Sequence, residues 1–119
     1  MKLDELIGML PVLREFGKLK LPAKVYYTTV EVIRQAETEN QKINEARLQC
    51  IINHGGEEVP DKPGAWSLKD PEQIDLATKE MDELMSVEVE VKTINLVDLG
   101  NLELEPEKYH ALVGTFIVA

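Results

Sequence analysis

Residues 23 to 53 read AKVYYTTVEVIRQAETENQKINEARLQCIIN, and this stretch is the strongest indication of a mainly helical fold. It contains no glycine and no proline, so nothing in it interrupts an α-helix. A helix of about 30 residues is on the order of 45 Å long and needs packing partners along its whole length. A seam with alternating steps of four and three, the spacing of a heptad repeat, indicates the face that packs: Val25, Thr29, Val32, Ala36, Glu39, Ile43, Ala46 and Cys50.

A shorter helix is predicted before this stretch, over about residues 4 to 16, because apolar residues recur there at helical spacing. Asp4 is the expected N-cap and Gly17 the expected stop. Pro11 lies inside and is expected to kink or divide the helix, because it has no amide hydrogen to donate. Pro22 then suits the first turn of the long helix.

The stretch after the long helix, residues 54 to 70, contains glycines, prolines and charges, and it is predicted to be a loop. We expect Trp66, the only tryptophan, to pack against the protein and anchor this loop. A third helix is predicted over about residues 71 to 85, with Asp70 as N-cap and Gln73 as its capping-box partner.

The clearest strand pattern runs from Val87 to Ile94, where valines alternate with charged residues. Its backbone groups need a partner, either residues 115 to 118 in a hairpin-like pairing or a strand of a second subunit. A helical turn is predicted over residues 95 to 99 and a last short helix over about residues 105 to 113. The expected fold class is α+β, mainly α, with one long heptad-patterned helix, shorter packed helices and a small C-terminal β element.

The composition predicts a single domain spanning residues 1 to 119 with a mainly aliphatic core, since aromatic residues make up 5% of the chain. The net charge of −9 opposes binding to nucleic-acid backbones, and no apolar run is long enough to cross a membrane. The first 34 residues are the exception to the acidic balance, with six Lys or Arg and four Asp or Glu. A single cysteine and the lack of a signal peptide predict a cytoplasmic protein.

Residues that could carry catalysis are few and scattered. His54 and His110 are 56 positions apart along the chain, with no His-x-x-x-His or Cys-x-x-Cys spacing, so neither a metal site nor a cofactor is expected. Ser67, Ser86 and Cys50 lack the sequence context of a nucleophile. The sequence therefore predicts a protein that is not an enzyme.

The entry to the long helix is the segment that could bind a ligand, because basic residues and two tyrosines cluster there. Amides at a helix start carry partial positive charge, lysines add full charge, and a tyrosine ring can stack on a base. The alternative is that these are ordinary solvated residues beside a helix start. If the site binds a nucleotide, the residues predicted to hold it are Arg14, Lys20, Lys24, Tyr26, Tyr27 and Arg34.

Four short motifs spread over nearly the whole chain resemble a family of small tailed-phage and prophage proteins. They are the Leu-Pro-Ala-Lys helix entry at residues 21 to 24, Glu-Ala-Arg at 45 to 47, Val-Glu-Val at 87 to 89, and Leu-Glu-Leu-Glu-Pro-Glu at 102 to 107. The chain departs from the family in its longer Gly/Pro loop around Trp66. The resemblance implies a phage origin and carries over no catalytic residues.

Small phage proteins of this kind are typically virion assembly parts or inhibitors of host defence, some of which sequester nucleotide immune signals. We therefore expect a non-catalytic protein in the cytoplasm of an infected host cell. It would form a homo-oligomer through the long helix and bind a nucleotide-like anionic ligand or a host factor to counter host defence. The alternative is a structural or assembly protein of the phage virion or tail.

Overall fold

The computed structural model describes residues 1 to 119 and shows an α+β fold that is mainly helical, as the sequence predicts. The helices are α1 (Leu3–Phe16), α2 (Ala23–Asn53), α3 (Pro71–Met85) and α4 (Pro106–Tyr109). The strands are β1 (Glu57–Glu58), β2 (Trp66–Ser67), β3 (Ile94–Asn95) and β4 (Ile117–Val118). Two 3₁₀ turns, Leu96–Leu99 and His110–Leu112, follow β3 and α4.

The chain forms two compact units. One consists of Met1–Glu39 together with Glu88–Ala119, and the other of Asn40–Val87. Helix α2 contributes its first part to the first unit and its remainder to the second. The single domain expected from chain length stays a prediction.

The heptad seam of α2 is largely buried within the chain itself. Val25, Val32 and Ala36 have at most 1% of their surface exposed. Thr29 is fully buried as well, and its hydroxyl donates a hydrogen bond to the carbonyl of Val25 at 2.7 Å, so its polar group is satisfied. A partner subunit would therefore have to use a different face of α2.

The core of the first unit is built where α1 and the start of α2 meet the C-terminal elements. Phe16 is fully buried and makes edge-to-face contacts with two rings, Tyr109 at 5.9 Å and Phe116 at 6.1 Å between centroids. The remaining buried side chains of this core are aliphatic, apart from the thioether of Met9. Helix α1 therefore packs through its apolar stripe, as its periodicity predicts.

Two details of α1 differ from the prediction. The helix begins at Leu3, with Lys2 and not Asp4 at the N-cap, and the Glu5 carboxylate accepts the amide of Lys2 at 3.3 Å. The helix is also continuous through Pro11, so the proline does not divide it. One missing amide is tolerated because the buried residues on both sides of Pro11 hold the helix against the core.

The valine-alternating stretch is not the strand that the pattern predicts. Only Ile94–Asn95 forms a strand, and it pairs within the chain and in parallel with β4, not as a hairpin. Upstream, the Val89 amide donates to the Met1 carbonyl at 2.8 Å, and Gln35 donates to the Glu90 carbonyl at 2.8 Å. Val89 and Val91 pack against the core as the alternation predicts, whereas Val87 is 49% exposed. The N-terminus and α2 provide the backbone partners.

The second unit contains the predicted third helix with the predicted bounds, Pro71–Met85, and the Asp70 carboxylate caps it by accepting the Glu72 amide at 3.0 Å. Within the predicted loop, β1 and β2 form a short antiparallel pair, which the sequence analysis missed. Trp66 is half-buried in this pair, in keeping with an anchoring role. Gln73 does not complete a capping box, because its side chain contacts His54, the residue directly after α2.

Candidate functional site

A groove of about 560 Å³ lies in the first unit where the end of α1 faces α2. Such a volume falls within the range of small-molecule sites. Its lining combines apolar side chains with charged ones. It is lined by Pro11, Arg14, Glu15, Gly17, Lys18, Tyr26, Val30, Ile33 and Glu37.

Two of the six predicted ligand-binding residues line this groove, namely Arg14 and Tyr26. Both are about half exposed, so a ligand can reach them. The other four lie on the exposed surface outside its lining: Lys20, Lys24, Tyr27 and Arg34. The sequence grouped the six by closeness along the chain. On α2 the helical phase separates Lys24, Tyr27 and Arg34 from Tyr26, and Lys20 lies in the connector before this helix.

The charges of the groove are arranged as ion pairs that the sequence analysis did not identify. Arg14 lies 3.7 Å from the Glu37 carboxylate, and Lys18 lies 3.0 Å from that of Glu15. Lys18, helped by Lys108 at 3.7 Å, lowers the pKa of the Glu15 carboxyl. The four charges that line the groove therefore balance, and an anionic ligand must compete with Glu37 for Arg14.

A second cluster of polar side chains lies in the second unit, between the end of α2 and α3. The Cys50 thiol donates a hydrogen bond to Glu80 Oε2 at 2.9 Å, and His54 Nε2 lies 3.2 Å from the same oxygen. The three potential ligand atoms, Cys50 Sγ, His54 Nε2 and Glu80 Oε2, all lie within 4.8 Å of one another. Cys50, in the last turn of α2, and His54, directly after its end, thus meet a carboxylate of α3.

The orientation of the histidine is fixed by a fourth residue. Gln73 Oε1 lies 2.8 Å from His54 Nδ1, so it accepts the proton on that nitrogen and leaves Nε2 directed at Glu80. The Gln73 hydrogen bond, followed by the one to Glu80, raises the pKa of His54. The hydrogen bonds from Cys50 and His54 lower the pKa of the Glu80 carboxyl.

The Cys50 thiol is poorly suited to act as a nucleophile. Its hydrogen bond to the Glu80 carboxylate, together with burial, raises the pKa of Cys50 to about 11. A nucleophilic cysteine needs a lowered pKa and a base placed to accept its proton. Here the histidine contacts the carboxylate instead of the sulfur, so the arrangement does not form a Cys-His catalytic pair.

Sequence reasoning missed this cluster, although one signal was present. Cys50 and His54 are four positions apart at the end of a helix, which brings them to one side of it, and this Cys-x-x-x-His spacing can contribute two metal ligands. The remaining members, Gln73 and Glu80, lie beyond the loop and could not be assigned to the same place from spacing alone. His54 was interpreted as a helix-terminus residue, which describes its position but not its contacts.

Pockets border the cluster within the same unit. Cys50 lines one of about 400 Å³ whose other walls are mostly apolar, including Ile74, Ala77 and Met81. His54 and Gln73 line another of about 250 Å³ with polar walls. The cluster is therefore accessible to small molecules or ions from its surroundings.

Neither a protein-family model nor a curated protein nor a solved structure matches this chain in comparisons with known proteins. None of its helices combines the length and the apolar character needed to cross a membrane.

Proposed function

We propose that this chain is a non-catalytic binding protein that holds an anionic, ring-bearing small ligand of the nucleotide type in the groove between α1 and α2. The observation that carries this proposal is that Arg14 and Tyr26, from different helices, line the same groove. A guanidinium beside an aromatic ring suits a ligand with both a phosphate and a base.

The ion pair already present at the groove does not prevent such binding. Arg14 and Glu37 are each about half exposed and 3.7 Å apart, and exposed pairs of this kind contribute at most about 1 kcal/mol. A phosphate offers Arg14 two strong acceptors and can displace the carboxylate. The Tyr26 ring, 52% exposed, provides the surface on which a base stacks.

The resemblance to small tailed-phage proteins supports a setting for this activity, the cytoplasm of an infected host cell. A protein that sequesters a nucleotide immune signal needs affinity and no chemistry. The raised pKa of Cys50 supports this interpretation, because it leaves the only thiol protonated at neutral pH. A host factor that presents the same anionic chemistry is the other ligand in keeping with this proposal.

Isothermal titration against a panel of cyclic and ADP-ribose-derived nucleotides tests the proposal. Arg14→Ala and Tyr26→Ala should each weaken binding about tenfold or more, the loss expected when a charged hydrogen bond or a stacked ring is removed. Arg34→Ala and Tyr27→Ala are matched controls, since they delete the same residue types outside the groove. Intact ligand recovered after denaturation would support sequestration. Equal losses in all four variants, or no binding of any nucleotide, would contradict the proposal.

We further propose that the chain forms a homo-oligomer through the exposed face of α2. Most seam residues are buried, but Tyr26, Tyr27 and Leu48 are large apolar side chains that remain exposed along this helix. They are spread over about 33 Å of α2, so a second copy packed lengthwise along this helix would cover all three. The molar mass from light scattering, compared between the parent and Leu48→Glu, tests this interface. A monomeric parent would contradict it.

The alternative function is a structural or assembly protein of the phage virion or tail. One observation favours it, namely the exposed aliphatic side chains next to β3 and β4 in the sequence. Leu96 is 56% exposed, Val97 81% and Val113 62%. Detection of the protein in purified virions, and its loss from them in Val97→Asp, would favour this alternative over sequestration.

A further inference from the structure

We propose that Cys50, His54 and Glu80 form a binding site for a single thiophilic divalent transition-metal ion, most naturally Zn²⁺. The site lies wholly in the second unit and shares no residue with the groove between α1 and α2. It is independent of the proposed nucleotide binding.

The distances between the three donor atoms suit a single metal ion. In a tetrahedral zinc site, Zn–S of about 2.3 Å and Zn–N or Zn–O of about 2.0–2.1 Å place neighbouring ligand atoms roughly 3.3–3.6 Å apart. Here Cys50 Sγ and His54 Nε2 lie 2.9 Å and 3.2 Å from Glu80 Oε2. The three atoms all lie within 4.8 Å of one another. Side-chain shifts of less than about 1 Å therefore bring all three to bonding distance of one ion.

His54 is already oriented as histidine ligands of metal ions usually are. A coordinating histidine typically donates its other ring hydrogen to an oxygen, which fixes the tautomer and the direction of the ring. Gln73 Oε1 provides that oxygen at 2.8 Å from His54 Nδ1, so the Nε2 lone pair is directed at the cluster. Gln73 is a positioning residue for the site and not a ligand.

The burial of the donor side chains also suits a metal site. Cys50 is buried and the His54 side chain is only 17% exposed, so neither has to be ordered from a mobile surface conformation. The Glu80 side chain is 59% exposed, which leaves water access for the fourth coordination position. The site can therefore hold an ion with three protein ligands and one water molecule.

Charge and proton balance are satisfied by a divalent ion. The Cys50 thiol releases its proton to solvent as the Zn–S bond forms, and Glu80 binds as carboxylate. A His54 ring that carries a proton on Nε2 also releases it to solvent, so that the histidine binds as the neutral imidazole. The ion with one thiolate and one carboxylate is then neutral overall. In the free protein the thiol hydrogen of Cys50 lies in the hydrogen bond to the Glu80 carboxylate, and the metal ion would replace this hydrogen.

The donor set selects the kind of metal. Mg²⁺ and Ca²⁺ require mainly oxygen ligands, and this cluster offers only one side-chain oxygen together with sulfur and nitrogen. A thiolate, an imidazole and a carboxylate suit Zn²⁺ and, as a spectroscopic substitute, Co²⁺. Co²⁺ reports directly on a cysteine ligand through its sulfur-to-metal charge-transfer absorption.

The experiment is titration of the chelator-treated full chain with Zn²⁺ by calorimetry, and with Co²⁺ by absorption. We expect one ion per chain, release of protons to the buffer, and a thiolate charge-transfer band. Cys50→Ser should abolish the band, and His54→Gln or Glu80→Gln should weaken binding at least 100-fold. His110→Gln and Glu83→Gln are matched controls that should bind like the parent, because both residues are exposed and outside the cluster.

Gln73→Ala keeps the test informative if a ligand variant fails to fold. It retains all three ligands and removes only the contact to Nδ1, so Zn²⁺ affinity should fall about 10–100-fold. Absence of Zn²⁺ binding by the parent would overturn the proposal. Binding without a thiolate band, or binding that the control variants weaken as much as Cys50→Ser does, would also overturn it. Nucleotide binding by Cys50→Ser should be unchanged, so failure of one proposal does not decide the other.

Discussion

Replacing Phe16 by alanine should be among the most destabilising substitutions in the first unit. The ring is fully buried and contacts Tyr109 and Phe116 edge-on, so its removal leaves a cavity and breaks two aromatic contacts. Phe-to-Ala changes in cores cost about 3–5 kcal/mol. A chain of this length is expected to have roughly 6–18 kcal/mol of stability in total, so the loss is a large fraction.

Urea unfolding followed by far-ultraviolet circular dichroism measures this effect. With a slope of about 2 kcal/mol/M, the transition midpoint of Phe16→Ala should fall by about 2 M. Phe16→Leu retains most of the buried apolar volume and should cost less than about 1.5 kcal/mol. Tyr27→Ala, at a side chain that is 67% exposed, should change stability by no more than about 0.5 kcal/mol. A midpoint for Phe16→Ala close to that of Tyr27→Ala would refute this account of the core.

Three further predictions concern the second unit. Because the pKa of Cys50 is raised to about 11 from 9.0, its thiolate fraction at pH 8 should be on the order of 100-fold below that of the unfolded chain, and Glu80→Gln should accelerate its alkylation. The hydrogen bond to Gln73, followed by the one to Glu80, raises the pKa of His54, so an NMR titration should give a value above 6.5. Protonation of His54 therefore stabilises the fold below pH 6.5, and this contribution is lost as the pH rises through the raised pKa. Gly56→Ala should cost about 1–3 kcal/mol in urea unfolding, because the new Cβ would lie 2.6 Å from the carbonyl oxygen five residues earlier.

The helices could be predicted from the sequence because their signals are local. The lack of breakers between residues 23 and 53 and the Asp70-Pro71 start signal depend only on neighbouring residues, and both predicted helices are confirmed. The structure of residues 87 to 94, of which only Ile94 belongs to a strand, could not be predicted in the same way. Its valine alternation is local, but its hydrogen-bond partners come from Met1 and from α2.

The candidate groove also depends on both local sequence and tertiary packing. Arg14 and Tyr26 are twelve positions apart and line one groove, whereas Tyr27, the immediate neighbour of Tyr26, lies outside its lining. The helical phase decides this, since adjacent residues on a helix point about 100° apart. Two of the six residues that the sequence predicts to bind a ligand therefore line this groove, and the other four lie outside its lining.

Periodicity, capping and charge are properties of neighbouring residues, so the helical elements, the acidic balance and the seam of α2 follow directly from the amino-acid sequence. The burial of this seam within one chain follows only from the three-dimensional packing. Only the tertiary structure brought Glu80 and Gln73 to Cys50 and His54. Contacts between residues some 20 to 30 positions apart depend on how two helices pack, and no local pattern specifies that packing.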